Sequence, residues 1–304
     1  MEVRVLRRFA PADLDAVRTL AEAVESTGAA PPFGEATWRS LADGVGGVGL
    51  LLCTDRVLTA YAHLTHHHAH GWGFEVAARP DADAGWLALV EPAMAAVAAG
   101  GGGHVALWLH GSGTGDEEAA AAAGFRPERK LLQLRVPLPL PETPRLPPGV
   151  TIRTFVPGRD EDAWLAVNNR AFAGHPEQGD WDRATLLARE QEPWFDADGF
   201  LLADDADGLA GFCWTKIHEP APPREPDRLG EIYVIGVDPG RQGTGLGRAL
   251  VVAGLESLAT RGVRAGMLYV DGANTAAVAL YRSLGFTTAR VDRAYGRDVP
   301  PSSA

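Results

Sequence analysis

Polar and apolar residues alternate from Val3 to Phe9. The period then changes, and Leu14, Val17, Leu20 and Val24 recur at helical spacing behind Pro11-Ala12-Asp13. The first pattern predicts a strand and the second a helix. A loop over Pro31-Pro32-Phe33-Gly34-Glu35 leads to a short helix around Trp38 and Leu41. Aliphatic runs over residues 48–54 and 57–64 read as paired strands across a turn at Asp55-Arg56, and 74–77 as a further strand. The spacing then predicts a helix over 86–97, a strand over 105–109, an alanine-rich helix over 117–123 stopped by Gly124, and a strand over 131–136.

The plan then repeats. Residues 137–149 carry prolines at 137, 139, 141, 144, 147 and 148 and read as a semi-rigid linker. Beyond it come strands at 151–155, 200–203, 209–217 and 231–237, a helical segment bearing Trp164, Val167 and Phe172, and a proline-rich loop at 219–228. The halves can be laid on each other. Gly124-Phe125 matches Gly285-Phe286, Leu107-Trp108-Leu109-His110-Gly111 matches Leu268-Tyr269-Val270-Asp271-Gly272, and Phe9-Ala10-Pro11 matches Phe155-Val156-Pro157. The unit β-α-α-β-β-β-α-β-α-β is present twice, which is a duplication rather than a solenoid. The expected organisation is an α/β (α+β) chain of two domains, 1–136 and 150–304, joined by 137–149.

At 304 residues the chain is long enough for two cores. Its net charge of −11 argues against a nucleic-acid or anionic-membrane partner. Charges interrupt the N-terminus before any signal-peptide core forms, and no apolar run reaches membrane-spanning length, so a cytoplasmic protein is expected. Cys53 and Cys213 sit in apolar runs and read as buried free thiols. His63, His66, His67, His68 and His70 lack an accompanying acidic or cysteine pattern, so a polar strand edge or loop is expected and no metal site. Internal duplication favours a monomer.

The stretch that carries chemistry is residues 231–248. An alternating strand ends at Asp238-Pro239-Gly240; Gln242-Gly243-Thr244-Gly245-Leu246-Gly247-Arg248 follows and runs into an apolar helical pattern. Glycines between strand and helix let backbone N–H groups approach an anion, so this loop reads as a phosphate cradle. A triphosphate loop needs Lys-Ser/Thr where Arg248-Ala249 stands. A dinucleotide loop needs a glycine where Arg248 stands. In the register of the two copies this loop falls on Asp83–Leu89, where Trp86 replaces Gly245 and Asp83 replaces Gln242. The N-terminal copy is expected to have lost the cradle.

The pattern Gln/Arg-x-x-Gly-x-Gly/Ala resembles the coenzyme A pyrophosphate loop of the GNAT acetyltransferases. The resemblance implies a splayed strand beside the loop in each mixed, mostly antiparallel domain. It also implies that Ile235, Gly236 and Val237 face the thioester and that Gln242, Gly243, Thr244, Gly245, Leu246, Gly247 and Arg248 hold the pyrophosphate. The resemblance further implies that Asn274, Thr275, Ala276, Ala277, Val278 and Ala279 open a second coenzyme-contacting helix. Strand parity places Glu231 and Val237 on one face, with Glu231 as the base acting through a water on an amine of pKa about 7.7–8.0. Tyr281, in Asn-x-x-Ala-x-x-Leu-Tyr-x-x-x-Gly-Phe, is the implied acid for the leaving thiolate.

The whole chain further resembles the mycothiol synthases, a family of tandem GNAT enzymes. The marks are His175-Pro176-Glu177-Gln178-Gly179, Trp214-Thr215-Lys216-Ile217-His218, the strand from Glu231 to Pro239, and Leu268-Tyr269-Val270. That resemblance implies acetyl-CoA as co-substrate and a small thiol-sugar acceptor, cysteinyl-glucosaminyl-inositol, held by Glu35, Glu177, Lys216, Glu231 and Tyr269. A polyhydroxyl sugar suits these acceptors and the Lys216 donor. Two other readings remain: a tandem GNAT enzyme for another small amine or a protein N-terminus, and a coenzyme A-binding module without turnover.

Overall fold

The structure is a computed structural model; it describes residues 2–43, 47–55, 57–67, 71–79, 85–111, 114–173, 178–179, 181–220 and 227–302. In chain order the elements are β1 (Glu2–Leu6), α1 (Pro11–Ser26), α2 (Glu35–Asp43), β2 (Gly47–Thr54), β3 (Val57–His67), β4 (Gly71–Ala78), α3 (Val90–Ala99), β5 (Gly103–Leu109), α4 (Thr114–Ala122) and β6 (Arg126–Pro137). They continue as β7 (Thr151–Thr154), α5 (Glu161–Ala171), α6 (Arg183–Glu190), β8 (Phe200–Asp205), β9 (Gly208–His218), β10 (Leu229–Val237), α7 (Leu246–Thr260), β11 (Ala265–Asp271), α8 (Thr275–Ser283) and β12 (Thr287–Val299). Contacts divide the chain into two units: residues 1–131 with 271–273 and 290–304, and residues 132–270 with 274–289. The chain's last strand, from Arg290 onward, thus belongs to the first unit.

In the first unit the strands run β1-β2-β3-β4-β5-β12. The pairs β1–β2, β2–β3, β3–β4 and β5–β12 are antiparallel, and β4–β5 is parallel, its ladder running from Trp72↔Val105 to Glu75↔Trp108. Both sheet faces are covered. Val90, Ala93, Met94 and Val97 of α3 pack with Leu50, Leu64 and Phe74 on one side. Val17, Leu20 and Ala21 of α1 and Leu41 of α2 pack with Leu51 and Tyr61 on the other. This is what the helical spacing of those residues demands of a helix lying on a sheet. His63 departs from the expected polar edge: it is 1 % exposed in β3, between β2 and β4, with its ring bonded to Tyr61 Oη (2.8 Å) and Ser40 Oγ (3.1 Å). His68 and His70 lie outside the described residues. Among the described residues no His/Cys/Asp/Glu group is arranged to hold a metal ion.

The second unit has the order β6-β11-β10-β9-β8-β7. Leu246, Leu250, Val251, Leu255 and Leu258 of α7 and Val278 and Tyr281 of α8 pack with Cys213, Ile232 and Leu268 on one face. Trp164 and Val167 of α5 and Leu186 of α6 pack with Phe200, Phe212, Trp214 and Val234 on the other. Close packing of α7 needs Gly254, where an added Cβ would stand 2.5 Å from Cys213 Sγ. No described helix is long and apolar enough to cross a membrane.

Candidate functional site

The site begins where β10 and β11 part. They pair in parallel from Leu229↔Ala265 to Ile232↔Leu268, and no further, although β10 continues to Val237 and β11 to Asp271. On its other edge β10 stays paired with β9 as far as Val237↔Gly211, but the register shifts between Ile232 and Val234. Tyr233 is the extra residue of a β-bulge, which bends the strand and increases its twist. The bulge coincides with the opening of the fork. In the first unit β4 and β5 pair over an equally short ladder, yet β4 runs against β3 without a shift from Ala60↔Ala78 to His67↔Gly71.

The bulge corrects the parity expectation. Before it, Glu231 alternates with Ile232, which packs toward α7. After it, Val234 packs toward α5, while Ile235 and Val237 pack toward α7 and α8. Glu231 and Val237 therefore lie on opposite faces. The extra residue inverts the two-residue period.

Backbone geometry aims donors into the fork. Asp238 N–H donates to Ala210 O at 2.9 Å, so residue 238 is a hydrogen-bonded partner of β9. Bonded and non-bonded positions alternate in an antiparallel ladder, which turns the N–H groups of Ile235 and Val237 away from β9 toward the unpaired side. Gly236 faces the α5 side, where an added Cβ would stand 2.8 Å from Phe212.

On the α7 side lies the glycine loop. Gly245 is the N-cap of α7 with φ +90°, in the left-handed region, and Gly243 has φ +77°. No side chain caps the helix, and its first four amides have no acceptor within it. The uncapped start of α7, within the stretch Gln242 to Arg248, could therefore hold an anion. The side chain of Arg248 is engaged otherwise. It donates to both Glu142 oxygens (2.8 and 2.7 Å) and to Ser283 Oγ (2.8 Å), so the proline-rich segment is tied to the cradle and to the end of α8. Asn274 caps α8, its Oδ1 accepting from Ala277 N–H at 3.1 Å; Thr275 through Ala279 form the first turns. Tyr281 is buried on this face beside Phe286. Burial, with Cys213 adding to it, pushes its phenol up to about 12.

The other face carries the polar groups. Lys216 is the direct partner of Glu231 in the β9–β10 ladder, and both are buried. The Lys216 ammonium lies 4.5 Å from the Trp194 ring centroid and 5.5 Å from that of Tyr233. His218 Nε2 sits 2.7 Å from Glu231 Oε2. On β11, Tyr269 alternates with the inward Leu268 and Val270 and is partly exposed, its Oη accepting from Gln133 Nε2 at 2.8 Å. The structure thus brings Lys216, Glu231 and Tyr269 to one face. Glu177 lies outside the described residues. Glu35 belongs to the first unit, where it opens α2 and pairs with Arg39. Sequence reasoning assigns no role to His218, Trp194, Gln133 or Glu142, although His218 lies within one of the quoted marks. His218 had a signal, since it follows Lys216 by one strand period.

Among the described residues of the first unit, the matching position is built differently. Where Gly245 begins α7, Trp86 begins a 3₁₀ turn over Trp86–Leu89 behind Gly85 at φ +52°, ψ −161°. Trp86 packs against the α3 core. Asp83 lies outside the described residues. Beyond the β4–β5 ladder stands a closed polar cluster. Glu75 accepts from His110 (2.6 Å) and from Gly34 N–H (3.0 Å), and His110 also reaches Asp292 at 3.3 Å. Burial alone would lower the His110 imidazole, but Asp292 and Glu75 raise it to about 9.

Residues 164–286 match the Acetyltransferase (GNAT) family. The chain is 47% identical to a mycothiol acetyltransferase of Thermobispora bispora over 98% of its own length and 100% of the relative's. It is 48% identical to one of Salinispora arenicola over 92% and 91%. In fold it is similar to a GCN5-related N-acetyltransferase from Sphaerobacter thermophilus (TM-score 0.72, 24% identity, 99% and 97% coverage). It is also similar in fold to a tandem GNAT protein from the clavulanic acid biosynthesis pathway (TM-score 0.71, 17% identity, 99% and 100% coverage).

Proposed function

The chain belongs to the mycothiol acetyltransferases, a family of GNAT enzymes, and from that premise we propose that it moves the acetyl group of acetyl-CoA to the cysteinyl amine of cysteinyl-glucosaminyl-inositol, forming mycothiol. The observation that carries the reading is the fork between β10 and β11. It opens between a face bearing an anion cradle and Tyr281 and a face bearing Glu231, Lys216 and Tyr269.

Each side then has its task. The amides of Gln242 to Arg248 and the first turns of α8 suit a pyrophosphate, and the N–H groups of Ile235 and Val237 suit the oxygen that becomes anionic when the thioester carbonyl is attacked. The acceptor amine comes from the Glu231 face. Near neutral pH much of an α-amine is still protonated, so Glu231, through a water, accepts the proton that must leave the nitrogen. Tyr281, protonated across this range, gives a proton to the departing thiolate. Lys216, Tyr269 and Glu177 are assigned to the polyhydroxyl acceptor by the resemblance. The reading places this reaction in the cytoplasm, in a monomer with one acetyl-CoA site, in the second unit.

Mass spectrometry of thiols in a strain lacking the gene tests it. Mycothiol should vanish and its unacetylated precursor accumulate, with rescue by the wild-type chain and not by Glu231→Gln. Persistence of mycothiol at its normal level would refute the assignment.

A further inference from the structure

We propose that His218 is a positioning residue for Glu231, holding one carboxylate oxygen so that the other is turned to the acceptor amine. The inference rests on Glu231 being the base. In the β9–β10 ladder His218 is level with Leu229, and Lys216 is level with Glu231, so His218 reaches Glu231 on the diagonal. A carboxylate only accepts hydrogen bonds, so at 2.7 Å the ring Nε2–H donates to Oε2. The Glu231 side chain is 10% exposed and that of His218 36%. Burial therefore leaves the carboxylate in need of a fixed donor, while the imidazole keeps one edge toward solvent. Lys216, across the ladder, places its ammonium over the Trp194 and Tyr233 rings.

Charged and titratable groups along this face include Lys216 and His218 on β9, Glu231 and Tyr233 on β10, Tyr269 on β11 and, through Gln133, Arg135 on β6. Glu219 and Arg228, in the loop after β9, pair with each other at 3.3 Å. Within this set His218 fixes the rotamer of Glu231. A group that acts through another in this way changes the rate of the proton-transfer step and leaves the coenzyme side untouched. Loss of such positioning costs up to about 10²-fold in rate.

The test combines kinetics with a spectroscopic readout. His218→Ala should lower kcat by about 10- to 10²-fold with an unchanged KM for acetyl-CoA, and His218→Gln, whose amide N–H can still donate, should recover most of the loss. In a Glu231→Gln background, His218→Ala should cost little more, because two groups acting as one unit are not additive. In the ligand-free protein, the ring ¹⁵N resonances of His218 should move on Glu231→Gln, which reports the contact without turnover. Three results would overturn the proposal: wild-type kcat in His218→Ala when Glu231→Gln is slow, the same fold-loss in both backgrounds, or unmoved resonances. A fast Glu231→Gln enzyme would overturn the base assignment and this inference together, and so separates the two failures.

Discussion

Glu231 and Val237 lie on opposite faces of β10, because the bulge at Tyr233 inverts the alternation between them. In the proposed mechanism that relationship separates the two halves of the reaction: proton removal from the amine is assigned to the face with Lys216 and His218, and thiolate protonation to the face with Tyr281. The backbone of Ile235 to Val237, freed from β11, is the seam between them.

Removing the base and removing the acid should therefore look different. Glu231→Gln and Tyr281→Phe should each lower kcat by about 10²–10⁴. An acetyl donor whose thiol is more acidic than that of coenzyme A should rescue Tyr281→Phe and leave Glu231→Gln slow. With its phenol pushed up to about 12, Tyr281 stays protonated until about pH 11 and adds no alkaline decline below it. Rates of the two variants with both donors, across pH, check this. A wild-type rate for Tyr281→Phe with acetyl-CoA would make Tyr281 a packing residue.

Much of this arrangement was legible in the residues, and its hinge was not. The apolar periods that built α7 and β10 follow from burying one face, and the glycine loop between them follows from backbone needs at Gly243 and Gly245. The bulge left no mark, because Tyr233 suits a strand as well as its neighbours do; only pairing with a distant strand shows it. α6 was missed for the opposite reason, since Leu186 is its one buried side chain and the rest of the helix carries little apolar pattern. Glu142 stood unnoticed in the proline-rich segment because its partner, Arg248, is remote in sequence. The grouping of residues 290–304 with the first unit is likewise a tertiary choice that their local pattern does not express.

Titration calorimetry should give one acetyl-CoA site per chain. Gly245→Ala should weaken binding about tenfold, because φ +90° is strained for any residue with a Cβ, at a cost of roughly 1–2 kcal/mol. Gly245→Trp, which copies Trp86 into the second unit, should abolish it. Two equivalent sites would show that the Trp86 turn still binds coenzyme.

Lys216→Met keeps an unbranched side chain at this position and removes the ammonium that lies over Trp194. The KM for the amine should rise by about ten- to a hundredfold, the worth of a charged hydrogen bond, with KM for acetyl-CoA unchanged. Steady-state kinetics in both substrates decide it; an effect on acetyl-CoA alone would move Lys216 to the other side of the fork.

The cluster Glu75–His110–Asp292 should make stability depend on pH. His110 is raised from 6.5 to about 9, so its contribution is fully present below about pH 6.5 and is lost as pH rises through 9. Burial would raise the Glu75 and Asp292 carboxyls, but bonds to His110 and to backbone amides hold both below their ordinary values, so theirs is lost as pH falls into the acid range. Urea unfolding of His110→Gln should show a loss of order 1–3 kcal/mol at pH 6 that shrinks toward pH 9.5. A loss that is constant across that range would show that the cluster is not ionised as described.

The most direct measurement is the reaction itself, with purified protein, acetyl-CoA and cysteinyl-glucosaminyl-inositol. The acceptor carries its own thiol, so free coenzyme A must be counted by chromatography and not by a thiol reagent, with the product placed by mass spectrometry. One coenzyme A should appear per N-acetylated cysteinyl amine, with a kcat/KM at least about a hundredfold above that for polyamines, aminoglycosides or peptide N-termini. Acetyl on the sulfur alone, no turnover despite tight acetyl-CoA binding, or equal rates with unrelated amines would contradict the assignment.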